Sequence, residues 1–479
     1  MNYLEVLDTY KEDMLKTLKE SIAAKSVKAD AVRTVNGDFY PFGRGVQQAL
    51  EHMLEVGSQM GFDVLNVDNY GGHIEFRAEA EDGEKPETFG IIGHLDVVPE
   101  GEGWTKDPFG MWIDGDRVIG RGVLDDKGPV VASLYAMKAL KESGFKPKKN
   151  IRLLLGCDEE TGMTGMVKYL EAVAAPDLSF TPDASFPLIN GEMGILIFDL
   201  SMKLGKVSNK NDLRLTKLEA GTAANAVPGT AKAVLQAADT AIYDSIRGRL
   251  EQYVQESGFV LKAKRQGSSL VIEAKGKAAH GAEPFKGLNA ASIILDFLGR
   301  LQFACDELNE FIDFYNEYIG FNLHGENMGC CFSDEPSGKL IWNVGVASFN
   351  EEMASVTVNI RYPVSCTDEA VYAEIEKVLA DKKIGVVKDH VQYPIYKSLD
   401  DPMVEKLMDA YISETGDTEN KPKTIGGGTY AKSVPNTLAF GALFPGEADT
   451  MHQADETMSK ESFFKMARIY ATAIYNICR

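Results

Sequence analysis

Phe89-Gly90-Ile91-Ile92-Gly93-His94-Leu95-Asp96-Val97-Val98 decides how the rest of the chain reads. A short apolar run rich in branched residues is the pattern of a buried strand, and this one ends in His-Leu-Asp. Side chains two apart on a strand share a face, so His94 and Asp96 point the same way. A carboxylate so placed takes the second ring N–H of the imidazole, which orients a metal-ligating histidine and makes it more basic. A lone His-x-Asp fits a hydrogen-bonded histidine without metal equally well, so the segments downstream must decide.

Working outward from that strand, strand-like and helix-like segments alternate. Upstream, helical periodicity covers residues 3–24 and 49–60, and strands at 62–67 and 73–78 flank a Tyr70-Gly71-Gly72 turn. Residues 79–87 read as a charged hairpin loop. Downstream, Pro99, Gly101, Gly103 and Pro108 mark a loop. Val123-Leu124-Asp125-Asp126-Lys127-Gly128-Pro129 follows, with a helix at 130–143. A second buried strand, 151–156, ends at Cys157-Asp158-Glu159-Glu160; a helix at 164–172 and a strand at 178–181 lead to Pro182-Asp183. The polar residues gather just past the strand ends, where open α/β sheets bind ligands.

From Ile195 the texture changes to strands at 195–203, 213–220, 231–237, 340–346 and 355–362, a hairpin around Gln266-Gly267, and interspersed helices. After 388 the α/β pattern returns with a helix at 403–414, the Gly426-Gly427-Gly428 loop, a strand at 437–443 and a helix from Lys460. The expected fold is α/β: a catalytic domain with a central, mostly parallel sheet and helices on both faces, formed by residues 1–194 and 388–479. Residues 195–387 interrupt it as an inserted α+β lid domain.

Composition narrows the partners. The 479 residues carry a formal net charge of −21 with no basic stretch, which argues against nucleic acid. No apolar run approaches the ~20 residues of a membrane span, and the N-terminus lacks a signal-peptide pattern, so a cytoplasmic protein is expected. Six cysteines without a Cys-x-x-Cys pair suit a reducing compartment and give no thiolate zinc site.

The chemistry resides in His94, Asp125, Glu160, Asp183 and the distant His452, within Asp449-Thr450-Met451-His452-Gln453-Ala454-Asp455-Glu456. Imidazole and carboxylate ligands without sulfur suit zinc, with manganese or cobalt as alternatives. Five ligands exceed one open site. They match two divalent cations if His94 and Asp183 hold one, Glu160 and His452 the other, and Asp125 lies between. Glu159 is then free to act as general base. An acidic helix N-terminus is the better explanation of a lone Asp-Glu-Glu, and here the co-occurring motifs outweigh it. Asp126 is a candidate for the substrate's free amine.

Taken together, Gly93-His94-Leu95-Asp96-Val97-Val98-Pro99, Gly120-Arg121-Gly122-Val123-Leu124-Asp125-Asp126-Lys127-Gly128, Asp158-Glu159-Glu160-Thr161-Gly162 and Pro182-Asp183-Ala184 resemble the di-metal exopeptidases. That family includes glutamate carboxypeptidase, succinyl-diaminopimelate desuccinylase, aminoacylase and bacterial dipeptidases. Gly276-Lys277-Ala278-Ala279-His280-Gly281-Ala282-Glu283-Pro284 and the His452 segment extend the resemblance over nearly the whole chain. It implies Asp125 as bridging ligand, Glu159 as base, Asp96 as the partner of the His94 ring, and a cis Asp125–Asp126 peptide. It also implies that His280 stabilises the oxyanion, with Asn225 beside it, and that Arg361 pairs with the substrate carboxylate. The Gly426-Gly427-Gly428 loop lacks Walker spacing and reads as backbone approaching substrate. The long insertion resembles the dipeptidase V branch, whose enlarged lid mimics a dimer within one chain, so a monomer is expected. The reaction implied is hydrolysis of dipeptides with a free N-terminus, β-Ala-His among them, by a metal-bridging hydroxide. An N-acyl or N-succinyl amino acid amidohydrolase is the alternative.

Overall fold

The computed structural model describes residues 2–79, 85–206 and 213–479, so most of the loop expected at 79–87 lies outside the described residues. The chain forms two compact units: Met1–Gly191 with Tyr396–Thr424 and Gly428–Arg479, and Glu192–Ile395 with Ile425–Gly427.

The first unit is built on a mixed sheet. Among the described residues, six of its nine strands run in the order Thr437–Ala439, Leu178–Thr181, Thr88–His94, Asn150–Gly156, Gly71–Phe76, Asp63–Val67. The first four are mutually parallel, and the two at the end are antiparallel. Every residue of Thr88–His94 is buried, as its unbroken apolar pattern requires. Phe89, Ile91, Leu153 and Leu155 face the larger core, shared with helices Lys127–Glu142, Pro402–Thr415 and Lys460–Cys478. Ile92 and Leu154 face the other way, onto Met166 and Tyr169 of helix Thr164–Ala172. Helices therefore cover both faces. Helix Lys127–Glu142 is buried on nearly every side, which explains its lack of a polar stripe.

Two local expectations differ from what forms. The helix expected over 3–24 is two, Tyr3–Asp8 and Lys11–Ala23, because apolar spacing carries across the break at Thr9–Tyr10. The hairpin turns at Asp68 and Asn69, which adopt φ of 47° and 63°, while Gly71 and Gly72 lie within the following strand. Asn and Asp tolerate the left-handed region. Gly72 serves close approach instead: a Cβ there would sit 2.6 Å from the Leu65 carbonyl oxygen.

The second unit is an eight-stranded antiparallel sheet, in the order Val260–Gln266, Ser269–Lys275, Thr230–Gln236, Arg214–Ala220, Ile341–Phe349, Met353–Tyr362, Gly194–Lys203, Gly385–Gln392. Alternate residues such as Leu215, Ala233, Ile272 and Leu261 join one core with helices Ile242–Ser257, Ala290–Leu298, Asp306–Phe314 and Asp368–Leu379. All six cysteines are unpaired. Among the described residues no helix is long and apolar enough to cross a membrane.

Candidate metal centre

Strand Thr88–His94 ends with its last side chain, His94, fully buried. Parallel pairing sets His94 beside Gly156, so the two adjacent strands end level and their following loops converge. Leu95 N–H donates to the Gly156 carbonyl at 2.9 Å, and Ser26 Oγ donates to the Leu95 carbonyl at 2.6 Å. Both bonds hold the chain as it leaves the sheet.

The role foreseen for Asp96 is divided differently. His94 Nδ1 lies 2.9 Å from the Asp96 backbone oxygen and 3.6 Å from its carboxylate. The carbonyl can only accept, so it takes the Nδ1–H and directs the Nε2 lone pair into the site. The Asp96 carboxylate accepts the backbone N–H groups of Glu159 and Glu160, at 3.1 and 3.2 Å. It thus ties the first strand end to the turn carrying both glutamates.

Asp126 is not placed to meet a substrate amine. It is fully buried, and its Oδ2 accepts the His94 N–H at 3.0 Å. Gly93 makes room for that carboxylate, since a Cβ there would meet Asp126 Oδ2 at 2.6 Å. Spacing alone could not distinguish a carboxylate under the histidine from one facing substrate. The Asp125–Asp126 peptide is cis.

Asp125 lies between the two imidazoles. Its Oδ1 is 3.0 Å from His94 Nε2, and its Oδ2 is 2.9 Å from His452 Nε2. Asp183 Oδ2 stands 3.7 Å from His94 Nε2, and Glu160 Oε2 stands 3.2 Å from His452 Nε2. Ligand atoms of His94, Glu159 and Asp183 lie within 4.8 Å of one another, as do those of His94, Asp125 and Glu160. His94 Nε2, Asp125 Oδ1 and Glu160 Oε1 are buried without an aligned hydrogen bond. Orphaned buried donors and acceptors converging from separate segments are what a hard or borderline cation requires.

The electrostatics agree. Hydrogen bonds to Asp125 and Glu160 raise His452 to about 11 against the opposing effect of burial. Burial pushes the Asp125 carboxyl up, but His452 and His94 outweigh it and hold the group well below the carboxylate range. Glu159 is driven well above that range, first by burial and then by Asp183. Without cations, protons hold this cluster of acids together, and cation binding displaces them.

In the second unit, Asn225 and His280 are brought together. Ala226–Val227 pairs antiparallel with Ala279–His280, and Gly281 N–H donates to the Asn225 carbonyl at 2.7 Å. Ala282 N–H donates to His280 Nδ1 at 3.3 Å, which places the ring proton on Nε2. Arg361, on Met353–Tyr362, is buried; its Nε donates to Asn359 Oδ1 at 3.0 Å and its Nη1 to the Gly426 carbonyl at 2.8 Å. Burial lowers the guanidinium to about 10, against the opposing effect of the nearby Glu192 carboxylate.

Residues 90–476 match the family model described as peptidase family M20/M25/M40. The chain belongs to this peptidase family. A Staphylococcus haemolyticus protein named "putative dipeptidase" is 35% identical over 476 residues, covering 99% of each chain. Among solved structures, an M20 family metallo-carboxypeptidase of Sulfolobus solfataricus superposes with a TM-score of 0.55 at 16% identity, over 97% of this chain and 99% of its own. Human carnosine dipeptidase 1 does so with 0.52 at 17%, over 99% and 98%. At such identities the two structures speak to the fold alone. This M20 peptidase is accordingly a hydrolase of the metallopeptidase kind.

Several supports of the M20 site escaped the sequence reading. Asp158, fully buried, accepts from Lys28 Nζ at 2.7 Å, from Thr164 N–H at 3.2 Å and from the hydroxyls of Thr161 and Thr164, closing the loop after the glutamates. Glu456 and Arg121 form a buried pair at 2.7 Å. The available signal was charge out of place, as with Arg121 between two glycines in an otherwise apolar run. Asn343 Nδ2 donates to the Ala224 and Ala226 carbonyls, 3.1 Å each, and so grips both neighbours of Asn225. His73 is buried with Nδ1 2.6 Å from the Tyr169 hydroxyl, a core contact.

Proposed function

We propose that this M20 peptidase is a metal-dependent dipeptidase that cleaves dipeptides with a free N-terminus. The observation that carries the reading is Asp125 between two imidazoles, one oxygen 3.0 Å from His94 and the other 2.9 Å from His452. Asp125 would be shared by two divalent cations, with His94 and Asp183 completing one set and Glu160 and His452 the other. Zinc is the first expectation, manganese or cobalt the alternatives. When bound, the cations supply Lewis acidity toward the peptide carbonyl and toward water.

The chain's own groups do the rest. Glu159 accepts a proton from water on its carboxylate and returns it to the leaving amine. His280 offers Nε2–H to the developing oxyanion, with the Asn225 side chain as a second donor. Arg361 is the candidate partner of the substrate's terminal carboxylate. The full-length similarity to a relative carrying a dipeptidase name supports this substrate class. The length of the insertion supports a reading in which the enzyme is active as a monomer.

The test is a substrate panel on protein stripped of metal and reloaded with zinc, manganese or cobalt. Ala-Ala and β-Ala-His should turn over, while N-acetyl and N-succinyl amino acids should not. Preference for the acylated substrates would reassign the enzyme as an amidohydrolase.

A further inference from the structure

Asp125 and His452, ligands far apart in sequence, are joined by a residue with no role in the chemistry above. Glu456 lies four positions after His452 and is fully buried. Its Oε1 accepts the N–H of Leu124 at 2.9 Å and of Asp125 at 3.2 Å. Its Oε2 accepts Arg121 Nη1 at 2.7 Å and the Gly122 N–H at 3.0 Å. Its backbone oxygen accepts the Gly120 N–H at 3.0 Å. One side chain therefore takes four donors from the segment that ends in Asp125.

His452 rides on the other side of this junction. It is exposed, and its backbone is left-handed at φ 60°, as is Asp455 at 55°. The loop is closed at its neck by Thr457 N–H on Thr450 Oγ1 at 3.0 Å, and Asp455 is held by Thr105 N–H at 2.9 Å. Strand Thr457–Ser459 then pairs with Arg117–Ile119. These contacts shape the loop, while Glu456 determines where it sits against Asp125.

We propose that Glu456 is a positioning residue that fixes the approach of His452 to Asp125, and so sets the affinity of the Glu160/His452 half of the centre. The proposal rests on the two-cation reading. Asp125 serves both halves, but His452 serves only one. Loosening the junction disturbs two of three ligands in that half and one of three in the His94/Asp183 half. Glu456→Gln keeps the shape and removes the charge; its amide would turn a donor either toward Arg121 and the Gly122 N–H or toward the N–H groups of Leu124 and Asp125.

The experiment titrates metal-free protein with Mn²⁺, following bound metal by equilibrium dialysis and the ions' mutual coupling by electron paramagnetic resonance. Wild type should take two ions and show a spin-coupled pair. Glu456→Gln should keep the first ion within a few-fold and bind the second about 10- to 100-fold more weakly, the usual effect of losing an outer hydrogen-bond partner. The coupled signal should give way to that of isolated Mn²⁺. Arg121→Lys, which keeps a cation beside Oε2, should show the same loss in smaller measure. Wild type binding a single ion would overturn the two-cation reading itself. Two ions bound to wild type with equal weakening of both in Glu456→Gln, or with no change, would overturn the positioning role alone. If Glu456→Gln does not fold, an unaltered second equivalent in Arg121→Lys overturns it too.

Discussion

The two imidazoles facing Asp125 are held in opposite ways. His94 ends a strand buried at every position, with its N–H on Asp126 and its Nδ1 on the Asp96 carbonyl. His452 stands exposed on a loop in left-handed backbone, reaching Asp125 through side chain alone. One ligand is part of the sheet, and the other is delivered to it. Rigidity at one end and a held loop at the other place a ligand set precisely while leaving one side open to solvent.

Glu159 brings a carboxylate oxygen within 4.8 Å of ligand atoms of His94 and Asp183, and removing it should abolish the chemistry without unseating either histidine. Glu159→Gln should lower kcat by about 100- to 10,000-fold, with metal content by elemental analysis unchanged. Loss of metal together with activity would make Glu159 a ligand rather than a base. His94→Ala tests the buried end. Stranding Asp125 and Asp183 without their partner should cost about 3–5 kcal/mol in the metal-free protein, read by denaturant unfolding. His280→Ala probes a histidine outside the cluster; kcat should fall about 100- to 1,000-fold with metal content and unfolding midpoint intact.

His452→Ala should destabilise the metal-free protein less than His94→Ala does, because the His452 side chain is 55% exposed and solvent screens its pairing with the buried Asp125 and Glu160. A loss as large as that of His94→Ala would erase the contrast between the two ends. The smallest effect is in pH. His452 is raised to about 11 in the folded chain, against about 6.5 unfolded. Its stabilisation is therefore complete below about pH 6.5 and is lost as pH rises toward 11. The melting temperature of metal-free protein should drift downward over that window. Loaded protein should not follow, since the cation has displaced the proton.

Much of the centre was legible in the chain. His94, Asp125, Glu160, Asp183 and His452 were each readable because each follows a strand or lies in a compact polar motif, and strand ends at one sheet edge meet. The roles of Asp96 and Asp126 were not legible. Both are carboxylates within two residues of a ligand, and whether such a group faces a cavity or a backbone N–H depends on a single peptide orientation. Glu456 stands within the His452 segment and drew no role from the sequence, because its four donors lie more than 330 residues earlier. The hairpin turn was misplaced for a related reason: two glycines that signalled a turn were there to let backbones approach.

The sequence by itself determined the alternation of elements, the ligand types and the family, since periodicity and residue chemistry are local properties. Tertiary structure alone decided which oxygen of Asp125 faces which imidazole, which carboxylates support rather than act, and what anchors the His452 loop. Those outcomes depend on donors and acceptors from distant segments being paired in three dimensions, and no local pattern encodes a pairing.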